Sequence, residues 1–314
     1  MTQTTTQPLR VGTRASALAR TQSHLVADRL AAALGREVAL VEVATQGDLS
    51  HEPLASIGGT GVFVSALRDA LLRGEVDVAV HSLKDLPTAE PEGVVIAAVP
   101  PREDPRDVVV GRDGLTLGEL PNGSRVGTGS PRRAAQLHAL GLGLDVVPIR
   151  GNVDTRIRKV HEGQVDAVIL ARAGLARLER LDEVTEVLDP LQMLPAPGQG
   201  ALAVETRSAD TGLTTALHEY LDDLATHACV IAERRLLADL EAGCSAPVGA
   251  LAEVVEGDDG EELWLRAVAL SPDGHLAVRR SGTGPPADAE GLGAAVAAEM
   301  LAEGAASLLG EPVP

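Results

Sequence analysis

Apolar positions fall into short runs and helical stripes that alternate along most of the chain. Val76-Asp77-Val78-Ala79-Val80 is a β-branched run bounded by Gly74 and Pro87, the pattern of a strand buried in a parallel sheet. Before it, Val62, Phe63, Ala66, Leu67, Ala70 and Leu71 make one stripe, which predicts a helix over 62–73. Residues 9–14 read as a strand running into a turn, 16–34 as a helix, and 38–43 and 94–98 as further strands. Residues 49–61 contain Pro53 and Gly58-Gly59-Thr60-Gly61 with no periodicity, and read as a loop in the position of a lid.

After the linker-like stretch 100–105 the pattern begins again. Arg125-Val126-Gly127-Thr128 echoes Arg10-Val11-Gly12-Thr13, and Gly163-Gln164-Val165-Asp166 echoes Gly74-Glu75-Val76-Asp77. A strand is expected between the members of each pair, at 38–43 and at 144–148. Two echoes in the same order predict two similar βαβ lobes. Residues 193–200 read as a second crossover, with 201–205 returning as a strand, and two crossing segments make a hinge natural. From about residue 221 the character changes to a helix at 226–241, strands at 248–255, 262–270 and 276–281, and an alanine-rich helix at 288–309. Asp258-Asp259-Gly260 and Pro272-Asp273-Gly274 suit the hairpin turns between those strands. The expected fold is α/β, with two similar doubly wound lobes and a small α+β C-terminal domain. The expected division is 8–101 plus 200–220, 106–195, and 221–314.

Composition narrows the classes. A chain of 314 residues can bury two or three cores, and with aromatics at 1% these must be built from Ala, Val and Leu. The same scarcity excludes base stacking as a mode of nucleic-acid binding. A net charge of −18 opposes general polyanion binding but leaves room for one local basic cleft. Residues 1–8 lack the apolar core of a signal peptide, and no segment has the length and apolarity of a membrane span. Two cysteines without an export signal predict thiols in a reducing compartment, the cytoplasm.

The candidate chemistry gathers at strand ends. His81-Ser82-Leu83-Lys84-Asp85 follows the 76–80 strand, placing an imidazole, a hydroxyl, an ammonium and a carboxylate where open α/β sheets bind ligands. Taken by itself, the Lys-Asp pair reads as a polar turn with Asp85 as a local cap. Both lobe openings put arginines and hydroxyls at a helix start, Arg14 and Ser16 in the first and Ser130, Arg132 and Arg133 in the second. Such turns are anion sites by virtue of free N–H groups and the helix dipole. Arg150, Arg156 and Arg177 follow later strands of the second lobe. If the lobes face each other, all these groups surround one cleft suited to a polycarboxylate or phosphate. The competing reading is a solvated charged surface, where an ion pair contributes only about 0–1 kcal/mol.

Cys229 shares a stripe with Ala232, Leu236 and Leu240 and reads as core. Cys244, after Gly243, reads by position alone as an ordinary loop cysteine near a helix C-terminus, which does not favour a thiolate. The eight histidines show no metal-ligand spacing, and neither a P-loop nor a GxGxxG fingerprint is present.

Taken together, the segments 11–16, 81–88, 102–107, 127–133, 150–153 and 197–200 and the Gly243-Cys244 pair resemble the porphobilinogen deaminase family along nearly the whole chain. The resemblance implies lobes of the type II periplasmic-binding-protein kind and a third domain carrying a dipyrromethane cofactor. It implies a transferase that joins four porphobilinogen molecules head to tail with loss of ammonia, then releases the linear tetrapyrrole by hydrolysis. On this reading Cys244 holds the cofactor by a thioether and Asp85 is the catalytic acid/base. Arg14, Arg132, Arg133, Arg150, Arg156 and Arg177 bind acetate and propionate side chains, beside Ser16, Asp48, Ser82, Lys84, Ser130 and Gln199. The expected partners are porphobilinogen and the next tetrapyrrole enzyme, for a monomer binding neither nucleic acid nor membrane. Gln46 and Thr60 depart from the family pattern, which has basic residues at the corresponding lid positions. Two other readings stand beside this one: a two-lobe anion sensor needing neither Asp85 nor Cys244, and Lys84 as a Schiff-base nucleophile opposed by its acidic neighbour.

Overall fold

The computed structural model describes residues 7–43, 61–89, 91–243, 246–257 and 260–309. By its contacts the chain divides into two compact units, one made of Met1–Arg102 and Ala201–His227, the other of Glu103–Gly200 and Ala228–Pro314.

The first unit is built on a five-stranded sheet. Its strands are β1 (Leu9–Thr13), β2 (Val38–Glu42), β3 (Val78–Ser82), β4 (Val94–Ala98) and β10 (Leu202–Arg207), in the order β2-β1-β3-β10-β4. β1 is parallel to β2 and β3, whereas β10 runs antiparallel between β3 and β4. Helix α1 (Ala17–Leu34) starts at Ser16, whose hydroxyl accepts from Ala19 N–H at 3.3 Å, and stops at Gly35 in the left-handed conformation. Helix α2 (Gly61–Leu72) buries Val64, Leu67, Ala70 and Leu71, much of the stripe expected from sequence.

The second unit repeats the plan. Strands β5 (Asp107–Gly111), β6 (Arg125–Thr128), β7 (Asp145–Pro148), β8 (Ala167–Ala171) and β9 (Glu186–Val187) take the order β7-β6-β8-β5-β9, and β5 is the antiparallel member. Substituting like for like, this is the order of the first sheet, so the internal repeat is real. The echoed residues have one physical role in both copies. Asp77 accepts from Arg10 N–H at 3.0 Å and Asp166 accepts from Arg125 N–H at 2.6 Å, joining β3 to β1 and β8 to β6. A further arginine at or just beyond the antiparallel strand, Arg207 or Arg112, meets the same aspartate in each copy.

Helices α3 (Pro131–Ala139), α4 (Val153–His161) and α5 (Arg172–Arg177) belong to this second sheet. In the first unit α6 (Thr211–Leu221) follows β10, and α7 (Leu224–Asp239) begins in that unit and continues into the other. A three-stranded antiparallel sheet, β11 (Val248–Gly257), β12 (Gly260–Leu270) and β13 (Ala277–Gly284), completes the second unit with α8 (Ala289–Ala302) and α9 (Ala305–Leu308). One face of this sheet packs on α7 and α8 through Leu263, Leu265, Leu236 and Val296. Val268 and Leu270 on the other face meet Ala135 and Leu194. The single terminal helix expected from sequence is broken at Gly304, whose φ of +88° ends one helix before the next begins.

The strand β5 was not anticipated, and it brings a charge into the core. The second crossover, 195–200, is tied down from three sides. Ala250 N–H donates to Pro195 carbonyl at 2.9 Å, Gly198 N–H to buried Glu233 at 2.5 Å, and Gln199 Nε2 to Pro105 carbonyl at 2.7 Å. Gly200 has φ of +90°, and a Cβ there would lie 2.2 Å from Glu103 carbonyl oxygen, so only glycine fits.

Candidate active site

In the first unit, β3 ends in a 3₁₀ turn, Leu83–Asp85. Leu83 and Leu86 are both 1% exposed and pin the turn into the core, leaving Lys84 and Asp85 half-buried between them. Leu83 N–H donates to Ala201 carbonyl at 3.0 Å, fixing the turn to the start of β10. Ser82 is engaged with α1: Gln22 Nε2 donates to its hydroxyl at 2.9 Å, and that hydroxyl lies 3.2 Å from Gln22 Oε1. Among the described residues the Asp85 carboxylate has no hydrogen-bond or ion-pair partner, so its oxygens can accept from a ligand. Arg14 stands half-buried between β1 and the Ser16 cap of α1.

Behind this turn is a charged group that the sequence reading missed. Glu205 of β10 is 1% exposed and receives Arg68 of α2 in bidentate fashion at 2.7–3.2 Å. His81 Nε2 lies 3.2 Å from its other side. Burial by itself would raise the Glu205 carboxyl, but hydrogen bonds from His81 and Arg68, with their charge, bring it down to about 2. The position of His81 beside the 82–85 motif was legible; its partner 124 residues later was not.

In the second unit Ser130 caps α3, accepting from Arg133 N–H at 3.4 Å. Arg132 and Arg133, expected to bind ligand carboxylates, are both buried around Asp107, the first residue of β5. Arg132 donates to Asp107 Oδ2 at 2.8 Å and to Leu194 carbonyl at 2.6 Å. Arg133 donates to Asp107 Oδ1 at 2.7 Å and to Ile169 carbonyl at 3.0 Å. Gln199 Nε2 adds a third donor to Asp107 at 2.8 Å. Burial opposes ionisation of Asp107, yet the two guanidinium charges and these hydrogen bonds hold its carboxyl well below the usual carboxylate range. An aspartate opening the apolar run Asp107-Val108-Val109-Val110 is the signal that could have revealed this cluster.

Arg156 and Arg177 have a different environment. Arg156 Nε donates to Gly151 carbonyl at 2.8 Å, and Arg177 Nη2 to Gly200 carbonyl at 2.6 Å. Among the described residues neither donates to a carboxylate. Burial, then the nearby charge of Arg133, lowers the Arg156 pKa. Burial pushes Arg177 down to about 10, against a partial upward pull from Glu103. These are cations held at a desolvation cost without a full counter-charge, an environment that an anionic ligand relieves. Arg150 is exposed at the end of the same region. Asp48, Gln46, Thr60, Cys244 and the proposed lid 49–60 lie outside the described residues, whereas Cys229 is buried in the core around β11 and β12 as its stripe predicts.

Comparison with known proteins decides the family. Residues 9–215 match the profile described as "Porphobilinogen deaminase, dipyromethane cofactor binding domain", and 227–302 match the C-terminal domain of the same family. The chain belongs to the porphobilinogen deaminase family. It is 60% identical over 309 residues to the porphobilinogen deaminase of Nocardia farcinica, covering 97% of this chain and 88% of that protein. It is also 60% identical over 316 residues to porphobilinogen deaminase 1 of Streptomyces coelicolor, covering 98% and 99%. Among solved structures, a periplasmic substrate-binding protein of an ABC transporter from Coxiella burnetii aligns with 67% of this chain and 92% of its own, at 15% identity and a TM-score of 0.42. No described helix is long and apolar enough to cross a membrane.

Two of the residues expected to meet the cofactor have a chemistry that fits an acid-bearing dipyrrole. Among the described residues Arg156 and Arg177 hydrogen-bond only to backbone carbonyls, leaving guanidinium donors of the kind that acetate and propionate side chains require.

Proposed function

We propose that this enzyme is a hydroxymethylbilane synthase, a cytoplasmic transferase that joins four porphobilinogen molecules head to tail, releasing ammonia at each addition, and frees the linear tetrapyrrole by hydrolysis. Family membership supports the reaction, and the buried, under-neutralised cations Arg156 and Arg177 carry the assignment of the binding surface. When bound through Cys244, the dipyrromethane supplies the pyrrole carbon to which the first substrate is joined.

The chain's own residues then have separable tasks. Each porphobilinogen brings two carboxylates, and a charge-assisted hydrogen bond contributes about 1.5–3 kcal/mol. Arg14, Arg150, Arg156 and Arg177 therefore orient the growing acid-bearing chain. Arg132 and Arg133, engaged by Asp107, set the local positive potential and the shape of the β8 end, and Ser130, Ser16 and Ser82 hold the loops that carry the cations. Asp85 donates a proton to the departing amine, accepts hydrogen bonds from pyrrole N–H groups while the methylene carbon is positively charged, and takes up the proton lost as the ring regains aromaticity. Its fixed 3₁₀ turn keeps the carboxylate in place through all four additions. Lys84, Asp48 and Gln199 complete the polar surroundings. The product is a free tetrapyrrole available to the next enzyme of tetrapyrrole synthesis, and the catalytic form is the monomer.

Intact mass spectrometry of the purified protein tests the proposal. The expected mass exceeds that of the chain by two linked pyrroles, with the addition mapping to the Cys244 peptide and absent from Cys244→Ser. A mass equal to the bare chain, together with no turnover of porphobilinogen, would make this a non-catalytic anion-binding protein.

A further inference from the structure

The sequence offers eight scattered histidines without metal-ligand spacing, but the fold collects two of them on one buried carboxylate. His218 lies in the last turn of α6, Asp222 is the residue that ends that helix, and His227 lies in the first turns of α7. Asp222 is 1% exposed. Its Oδ2 lies 3.3 Å from His218 Nδ1 and 3.0 Å from His227 Nδ1. Two imidazole nitrogens and a carboxylate oxygen thus lie within 4.8 Å of one another. We propose that His218, Asp222 and His227 form a binding site for a first-row divalent cation of the zinc type.

The geometry and the chemistry agree. Bonds of about 2.0–2.1 Å in a tetrahedral site place neighbouring ligand atoms about 3.3 Å apart. The two histidine-to-Oδ2 separations are 3.0 and 3.3 Å, so a cation needs only small side-chain adjustment to replace the protons between these atoms. The other carboxylate oxygen, Oδ1, lies 2.8 Å from His227 Nδ1 and is held by Val99 N–H, which donates to it at 2.7 Å. That bond orients the ligand as outer partners do in metal sites. Two imidazoles with one carboxylate suit Zn²⁺, Co²⁺ or Ni²⁺; Ca²⁺ and Mg²⁺ favour sets of oxygen ligands. The His218 side chain is 56% exposed, which gives the ion an entry path and leaves water to complete its coordination. Binding needs both Nδ1 atoms unprotonated, so affinity rises with pH.

The site has a structural consequence within its own unit. Val99 is the first residue beyond β4 on the way to the first crossover, and its carbonyl accepts from Asp223 N–H at 2.9 Å. Three residues on, Arg102 N–H donates to Thr226 Oγ1 at 3.2 Å. The α6–α7 junction therefore grips 99–102, and a cation on Asp222 would brace the residue at the centre of that grip.

Untagged holoprotein, stripped of metal by dialysis, is titrated with Co²⁺. The expected result is visible d–d absorption saturating at one equivalent, without thiolate charge-transfer bands in the near ultraviolet, and bleached by Zn²⁺. His218→Ala, at an exposed position, is expected to weaken binding at least 10-fold with the fold intact, and His227→Gln to do the same. Zn²⁺ should raise the thermal midpoint of the wild type but not of His218→Ala. Absence of a saturable spectrum, thiolate bands marking a cysteine site, or unchanged affinity in both variants would overturn the assignment.

Discussion

The two five-stranded sheets share a strand order and an Arg–Asp lock, yet they handle buried charge in opposite ways. In the first, Glu205 lies opposite Ala79, inside the sheet, and is matched by one guanidinium and a histidine. In the second, Asp107 lies opposite Ala171, at the carboxyl end of β8, and gathers two guanidiniums for its single charge. Arg156, beside Arg133, adds to that surplus. The shared scaffold places the acid at different points along the antiparallel strand, with one guanidinium on Glu205 in the first copy and two on Asp107 in the second. Of the site residues expected from sequence, the first copy carries Asp85 and the second carries Arg156 and Arg177.

Removing the acid of the second copy should have the largest effect. Asp107→Asn leaves two buried guanidiniums without their counter-charge, so a loss of about 3–5 kcal/mol is expected in urea unfolding. Next is the acid of the first copy. The Glu205 carboxyl is depressed from its ordinary value of 4.5 to about 2. Its contribution to stability is therefore complete above pH 4.5 and is lost as the pH falls toward 2. That contribution is on the order of 3 kcal/mol, and Glu205→Gln should flatten this acid limb in unfolding measured across the range. Asp85→Glu should leave stability and cofactor content unchanged while slowing turnover by on the order of 100-fold, since the carboxylate moves by one methylene. Near-normal turnover would remove Asp85 from its role. The smallest effect separates the two kinds of arginine. Arg156→Gln should raise KM about 10-fold, with unfolding free energy unchanged or slightly increased, because a buried cation lacking a counter-charge has been removed. Arg133→Gln should instead lower stability, and identical behaviour of the two variants would erase the distinction drawn between them.

The elements with strong local patterns were legible from sequence, and the charged cores were not. The helix read over 16–34 is α1, and the Gly-X-Val-Asp echo announced β3 and β8, because such patterns act within a few residues. The duplicated motifs also placed Arg14 and Arg132-Arg133 on equivalent loops, after β1 and β6. What local pattern could not reveal was which arginines would be neutralised. Arg132, Arg133 and Arg156 look alike along the chain, and they are sorted by Asp107, which is distant from all three in sequence. Likewise the Pro197-Gly198-Gln199-Gly200 motif was recognisable, but its cause was not. Gly200 faces Glu103 carbonyl oxygen across a gap with no room for a side chain, and Gln199 completes the coordination of Asp107.

The antiparallel strand of each sheet also governs the order in which the chain can be assembled. β10 separates β3 from β4, yet it is encoded after the whole of the second sheet. A nascent chain halted anywhere before Leu202 holds β4 with no partner in its sheet and β3 with one open side. Residues 1–102 therefore wait until β10 at Leu202–Arg207 has emerged, with their strand edges exposed to pairing with other chains during that interval.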